Sequence, residues 1–243
     1  MKRKQWLALL LALMLGLSLC LTACGKKDSD AKGADDTKTE QTAAPKKTDP
    51  PKEEAEEEDE TWLSDGLFLF GRVEGDVYEN ERLGIGCELK DWTFADSEKL
   101  AAINQFGLDT LDEDLKEALQ SAQTVTEMYA DHRNPTQNVV ITVQNMKEVY
   151  GFTLEPEQML DISLPQLPSL MEGAGYTEVN GEKETISFCG ADHACLRVTA
   201  KIYGIDVYQL ILPIASDEYM FVITFSSFGE DSVDDIVSLF YPL

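Results

Sequence analysis

The alternation of apolar and polar residues over much of the chain predicts short β-strands. Residues 83–89 place apolar side chains at every second position, the pattern of a half-buried strand, and residues 138–146 do the same. Predicted strands span residues 67–73, 83–89, 138–146, 177–189, 194–203, 206–212 and 219–225. The last four are separated by turns too short for a parallel crossover, so they are expected to form antiparallel hairpins.

Apolar residues spaced by about 3.6 positions predict helices between these strands. Helices are expected over residues 96–105, 111 to about 129, 156–174 and 233–240. The third contains Pro165 and Pro168, which remove backbone donors and clash with the preceding turn, so a break is expected near Leu164. An antiparallel sheet flanked by helices is an α+β fold.

The most apolar run lies at the N-terminus. Residues 6–21 carry no charge, and Lys2, Arg3 and Lys4 precede them, which is the profile of a secretory signal. The run of about 16 residues is short for a permanent span, because a bilayer core of ~30 Å needs ~20 helical residues. An uncleaved N-terminal anchor is the alternative, and it too leaves the domain outside the membrane.

Two cysteines lie at the end of this run: Cys20 is within it, and Cys24 follows it by three residues. The sequence Leu21-Thr22-Ala23-Cys24 resembles the bacterial lipobox, a leucine and two small residues before a cysteine. The resemblance implies a diacylglyceryl group on the Cys24 thiol and cleavage before Cys24, so residues 1–23 form the signal peptide and Cys20 is discarded with it. Two long acyl chains anchor a protein stably, since each buried CH₂ contributes ~0.8 kcal/mol. We therefore expect attachment to the extracytoplasmic face of the bacterial cell membrane, with the lipid bilayer as a partner.

Residues 24–61 differ in composition from everything that follows. They are rich in Lys, Asp, Glu, Thr, Ala and Pro and contain no aromatic residue, so they are expected to form a disordered charged tether. Residues 62–243 are long enough for one domain with a real core. They hold only ten Lys and Arg against 32 Asp and Glu, and the whole chain carries a net charge of −25. Nucleic acid is excluded as a partner, because phosphate contacts need clustered basic residues.

Acidic residues gather at residues 109–114 without the central glycine and alternation of a calcium loop. Thr110 and Glu113 fit a helix capping box instead, and Asp231, Asp234 and Asp235 open the last predicted helix in a similar way. We therefore expect no metal site and no cofactor.

The candidate chemistry otherwise rests on two histidines. His132 follows the predicted long helix, where a cation would complement the last carbonyls, and His193 lies in or beside a predicted hairpin turn. Neither has zinc-ligand spacing, and the chain has no G-x-S-x-G motif. We expect no catalytic residue. The alternative is an exported hydrolase in which His132 or His193 meets a carboxylate and a nucleophile.

Cys87, Cys189 and Cys195 are left after processing. A two-residue turn at Gly190-Ala191 would offset Cys189 from Cys195 and make a disulfide between them awkward. An odd set of three favours buried free thiols, and a bridge from Cys87 to one of the other two is the alternative.

Residues 71–84 follow the pattern G-x-V-x-G-x-x-Y-x-N-x-x-L-G, which resembles the opening of lipoproteins from anaerobic Gram-positive, Clostridia-type bacteria. The usual P-x-G-W is replaced by residues 89–92, which keep only the tryptophan. Residues 204–209, 219–225 and 235–236 extend the likeness, and together these stretches resemble the PsbP-like superfamily. The resemblance implies an α/β/α sandwich and mostly non-catalytic binding or assembly modules. It assigns no ligand to Tyr78, Asn80 or Trp92.

The sequence therefore favours a membrane-anchored lipoprotein whose domain, residues 62–243, binds a protein, an envelope component or a small ligand. A purely structural subunit of an envelope complex is a further possibility.

Overall fold

The computed structural model describes residues 71–96, 98–100, 103, 124–147 and 151–243. The predicted signal peptide, Cys24, the tether and the acidic stretch at residues 109–114 lie outside the described residues. So does most of the helix predicted from residue 111. The expectations for these segments stay predictions.

A seven-stranded antiparallel sheet forms the centre of the fold, in the strand order β4-β5-β6-β10-β9-β8-β7. Its strands are β4 (Trp92–Phe94), β5 (Val125–His132), β6 (Gln137–Asn145), β7 (Thr177–Phe188), β8 (Ala191–Ile202), β9 (Ile205–Ser216) and β10 (Tyr219–Phe228). The predictions of a strand at residues 138–146 and of four successive hairpin strands are confirmed. The short turns force each strand to pair with its neighbour in sequence, which sets the order from β7 to β10.

A second, four-stranded antiparallel sheet has the order β1-β2-β3-β11. Its strands are β1 (Gly71–Glu74), β2 (Val77–Asn80), β3 (Ile85–Glu88) and β11 (Phe240–Pro242). The helix predicted over residues 233–240 is too long: α3 covers Val233–Val237, and Phe240 instead pairs with Cys87 of β3. In the described part of the chain, helices α1 (Pro156–Ser163) and α2 (Leu167–Gly173) lie directly before the hairpins.

The break between α1 and α2 confirms the proline argument. Helix α1 ends at its C-cap residue Leu164, and Pro165 follows directly. Pro168 lies in the first turn of α2, where a missing N–H costs nothing because that donor would have no helical partner.

The predicted helix reaching Tyr129 is wrong at its end, because Val125–His132 is strand β5. A β-bulge at Glu127 shifts the pairing with β6 between Thr126 and Met128. The extra residue interrupts the period-two alternation, so apolar side chains fall at Val125, Met128 and Tyr129, which is also helical spacing. A bulged strand and one face of a helix therefore gave the same sequence pattern.

Both faces of the large sheet are covered by other elements of the fold. Helices α1 and α2 pack on one face against side chains such as Leu196, Val198 and Ile211. The four-stranded sheet and α3 cover the opposite face, whose core includes Phe221, Phe225 and Leu212. The α+β class with an antiparallel sheet is confirmed. Within the described residues, no helix is both long and apolar enough to cross a bilayer.

Candidate functional site

A groove of about 320 Å³ lies between the end of strand β7, helix α3 and strand β11. We call it the β7 groove. Its apolar lining residues are Ile186, Phe188, Val237 and Phe240, and its polar ones are Ser187, Cys189, Asp234 and Ser238. Apolar walls with a few polar groups at the rim are typical of binding sites rather than of exposed loops.

The apolar walls follow from the alternation in β7. Ile186 and Phe188 are two residues apart, so both side chains point to the same face of the sheet. The Phe188 ring lies 5.6 Å from the Phe240 ring and 6.0 Å from the Phe225 ring, measured between centroids. Phe225 and Phe240 meet edge to face at 5.3 Å. This aromatic cluster fixes the groove wall to the core, since such pairs add ~0.5–1.5 kcal/mol to the gain from burial.

Arg197 ties the elements around the groove together. Its Nε donates to Glu184 Oε1 at 2.8 Å, and its Nη2 donates to Asp234 Oδ1 at 2.7 Å. The three residues come from β8, β7 and α3, so the guanidinium holds the short helix over the sheet. The Asp234 side chain is 77% exposed, which leaves its carboxylate facing solvent at the groove rim.

The three cysteines of the described residues are free, which agrees with the expectation of unpaired thiols. Cys87 and Cys195 are buried, and burial raises the pKa of each thiol to about 12. Cys189 is half-buried, and burial raises its thiol pKa to about 11. A nucleophilic cysteine needs a depressed pKa, so these environments favour inert, protonated thiols at neutral pH.

The turn beside Cys189 differs from the one considered from the sequence. Cys189 and Gly190, with φ of 48° and 85°, are themselves the two turn residues, and Phe188 pairs with Ala191. Cys195 consequently lies opposite Glu184, with its thiol 3.7 Å from the Glu184 carbonyl oxygen.

The two histidines lie apart and have different surroundings. His132 ends strand β5 instead of following a helix, so the expected interaction with helix carbonyls is absent. Its Nδ1 lies 3.2 Å from the backbone N of Asn134, and its ring meets the Trp92 ring edge to face at 5.4 Å. His193 lies within β8 against the edge of Phe188 at 6.1 Å, and burial lowers its pKa. The contacts described for both rings are packing and turn contacts.

The acidic residues before and within α3 behave as helix-start residues. Asp231 Oδ1 accepts a hydrogen bond from the backbone N–H of Val233 at 3.4 Å, and Asp234 pairs with Arg197. Among the residues that the structure describes, no group of three or more His, Cys, Asp or Glu side chains is arranged to hold a metal ion.

The motif residues Tyr78 and Asn80 of the four-stranded sheet form a buried polar cluster with Glu127 of β5, a partner that the sequence did not reveal. Tyr78 donates to Glu127 Oε1 at 3.0 Å, and Asn80 Nδ2 donates to the same oxygen at 2.8 Å. Asn80 Oδ1 accepts from the backbone N–H of Leu83 at 3.0 Å, which fixes the following turn. Tyr78 and Asn80 have no exposed surface and Trp92 is also buried, so all three are core and turn residues.

No known protein-family model matches this chain, and no curated protein matches it. Among solved structures it is similar to the cyanobacterial PsbP protein CyanoP from Synechocystis, with 11% identity and a TM-score of 0.42 over 71% of this chain and 98% of that chain. It is also similar to LpqN, a protein involved in cell envelope biogenesis of Mycobacterium tuberculosis, with 12% identity and a TM-score of 0.33 over 64% of this chain and 75% of that chain.

Proposed function

We propose that this protein is an extracytoplasmic lipoprotein, anchored through acylated Cys24, whose α+β domain is a non-catalytic binding or accessory module of the cell envelope. The observation that carries the proposal is the sequence Leu21-Thr22-Ala23-Cys24 at the end of a charge-free apolar run with a basic start. Position, flanking charge and spacing all fit a lipid-modified cysteine that becomes the first residue of the mature chain.

The side chains that line the β7 groove favour a binding role over a catalytic one. Four apolar side chains line the β7 groove, and the carboxylate at its rim is already engaged by Arg197 at 2.7 Å. The half-buried thiol of Cys189 has a pKa of about 11, raised by burial, and so stays protonated at neutral pH. Such a surface can bury an apolar group and orient a charged one, which is what a binding module requires.

The anchoring is tested with two matched cysteine variants. The full chain is produced in a bacterium that processes lipoproteins, with a palmitate analogue carrying an alkyne, and the cells are fractionated. The wild-type chain and Cys20→Ser should be labelled, shortened by 23 residues and recovered with membranes. Cys24→Ser should be unlabelled and should keep its signal segment.

Labelling and processing of Cys24→Ser at the wild-type level would overturn the anchoring proposal, as would loss of the label in Cys20→Ser alone. The side of the membrane is read from intact cells, where added protease should digest the wild-type domain. Protection of the domain until the cells are lysed would contradict an extracytoplasmic location.

A further inference from the structure

We propose that the outer edge of β7, together with the β7 groove, binds an extended segment of another protein by strand addition, and that this segment carries basic side chains followed by apolar ones at alternate positions. The inference rests on the proposed binding function and names the chemistry of the partner.

Strand β7 lies at one edge of the large sheet. It is the last strand of the large sheet, and within the described residues it pairs only with β8. The pairing with β8 shifts between Thr177 and Asn180 and is regular from Asn180 to Phe188. The outer edge of a strand presents unpaired N–H and C=O groups, which an extended peptide can pair with. The regular half of β7 therefore offers nine residues for a new strand.

On one face of that half, acidic side chains are followed by apolar ones. Glu182, Glu184, Ile186 and Phe188 occupy alternate positions and point to the face covered by α3. Glu184 reaches Arg197, which in turn contacts α3, while Phe188 packs on Phe240. The face therefore runs from two carboxylates to two apolar side chains. A strand added along this edge would place its own alternate side chains beside them, since directly opposed residues on one face interact.

The β7 groove lies at the apolar end of this face. Ile186 and Phe188 belong both to the edge and to the groove walls, and Val237 closes the opposite side. A side chain of the added strand that lies opposite this end would enter the groove. Main-chain pairing would supply affinity, and the groove would supply specificity for an apolar residue.

The cations near the outer edge of β7 are already paired with carboxylates. Arg197 is shared between Glu184 and Asp234, so its charge is already balanced where the segment would approach. Two further cations near β7 are also paired: Lys183 is held by Asp161 of helix α1 at 2.6 Å, and Lys201 is held by Glu178 at 2.7 Å. Glu182 is exposed on the same face of β7 and adds a negative charge to this edge. Opposite charges across an interface favour association and reject acidic segments, so the partner should be basic.

The test uses the full mature lipoprotein in detergent and fluorescent nine-residue peptides. The probe is Thr-Lys-Thr-Lys-Thr-Val-Thr-Phe-Thr, together with the same residues in reverse order, because the added strand could run in either direction. Saturable binding of one of the two peptides, measured by anisotropy, is expected. Replacing both lysines with glutamates should weaken binding at least tenfold. Methylating the backbone nitrogens of the central threonine and of the adjacent valine should abolish it. Adjacent residues of a strand point their N–H groups to opposite edges, so one of the two methyl groups always replaces a donor that faces β7.

The matched protein variants are Ile186→Glu and Ile205→Glu. Ile186 lines the groove, whereas Ile205 is 49% exposed and starts β9 at the opposite end of the sheet. We expect at least tenfold weaker binding for Ile186→Glu and unchanged binding for Ile205→Glu. Because Ile186→Glu could disturb folding, hydrogen exchange on the wild-type protein provides a second measurement. Bound peptide should slow exchange in residues 180–188 and leave the central strand β6 unchanged.

Failure of both peptide directions to bind, equal binding of the N-methylated peptides, or unaltered exchange in residues 180–188 would overturn the inference. A dimer that forms through β7 and excludes the peptides would overturn it as well, because the occupant would then be a second copy of this chain. None of these results bears on the anchoring through Cys24, because labelling and fractionation test that proposal separately.

Discussion

The phenol of Tyr78 donates a hydrogen bond to the Glu127 carboxylate at 3.0 Å, although 49 residues separate them in the sequence. Tyr78 belongs to β2 of the four-stranded sheet, and Glu127 is the bulge residue of β5 in the large sheet. The contact therefore joins the two sheets through a buried polar bond. Burial, and then the negative charge of Glu127, raise the pKa of Tyr78 well above its ordinary value, so the phenol keeps its proton.

Removal of the Tyr78 hydroxyl should destabilise the fold. Tyr78→Phe keeps the ring but takes one donor from a buried carboxylate, which costs ~1–3 kcal/mol of the free energy of unfolding. Chemical denaturation of the full chain measures the loss. Tyr203→Phe is the control, because Tyr203 is 89% exposed and its hydroxyl faces solvent. Equal stability of the two variants would show that the bond between Tyr78 and Glu127 contributes nothing.

A substitution at Gly71 should be as damaging, for a steric reason. A Cβ at Gly71 would lie within 2.6 Å of Cζ of the Tyr78 ring, closer than carbon atoms approach. Gly71→Ala must displace the ring and its hydrogen bond, and overpacking of this kind costs ~1–3 kcal/mol. The melting temperature measures the effect. Gly173→Ala, with nothing within 4 Å of the new methyl group, should melt at or slightly above the wild-type temperature. A wild-type melting temperature for Gly71→Ala would contradict the packing.

The motif around Tyr78 shows how far the sequence could be interpreted. Its spacing singled out Tyr78 and Asn80, and both lie in the buried cluster. The motif spacing could not identify Glu127 as their partner. Glu127 lies 47 residues beyond Asn80, and it is the extra residue of a β-bulge in β5. The same bulge made the start of β5 resemble a helix. Local periodicity therefore predicted regular strands and failed where one extra residue shifted the register.

The β7 groove was hidden from the sequence for a different reason. Its walls come from β7, α3 and β11, and β11 is a three-residue strand with no periodicity of its own. Its place next to β3 depends on Phe240 pairing with Cys87, a contact over 153 positions that no local pattern encodes. The hairpins of the C-terminal third were predictable because each strand pairs with its sequence neighbour.

The buried thiols should make the protein lose stability in alkali. Burial raises the pKa of Cys87 to about 12 from an ordinary value of 9.0, so the unfolded chain releases this proton first. Unfolding is then favoured as pH rises from about 9 towards 12, by ~1.4 kcal/mol per pH unit for each such thiol. Denaturation at several pH values measures the slope. Cys87→Ala should make it shallower, and an unchanged slope would contradict the burial effect.

The tip of the hairpin between β8 and β9 places a tyrosine in the left-handed backbone region. Tyr203 has φ of 51° and is followed by Gly204 with φ of 80°, the paired left-handed conformations of a type I′ turn. Tyrosine is strained in this left-handed conformation, whereas asparagine adopts it readily. Tyr203→Asn should therefore raise the free energy of unfolding by ~0.5–1 kcal/mol, and Tyr203→Thr should lower it because a β-branched residue tolerates this region least. Chemical denaturation of both variants measures whether each substitution raises or lowers the free energy of unfolding. Because the Tyr203 side chain is 89% exposed, these substitutions remove few packing contacts. Destabilisation by both substitutions would mean that the exposed ring contributes more than the turn conformation costs.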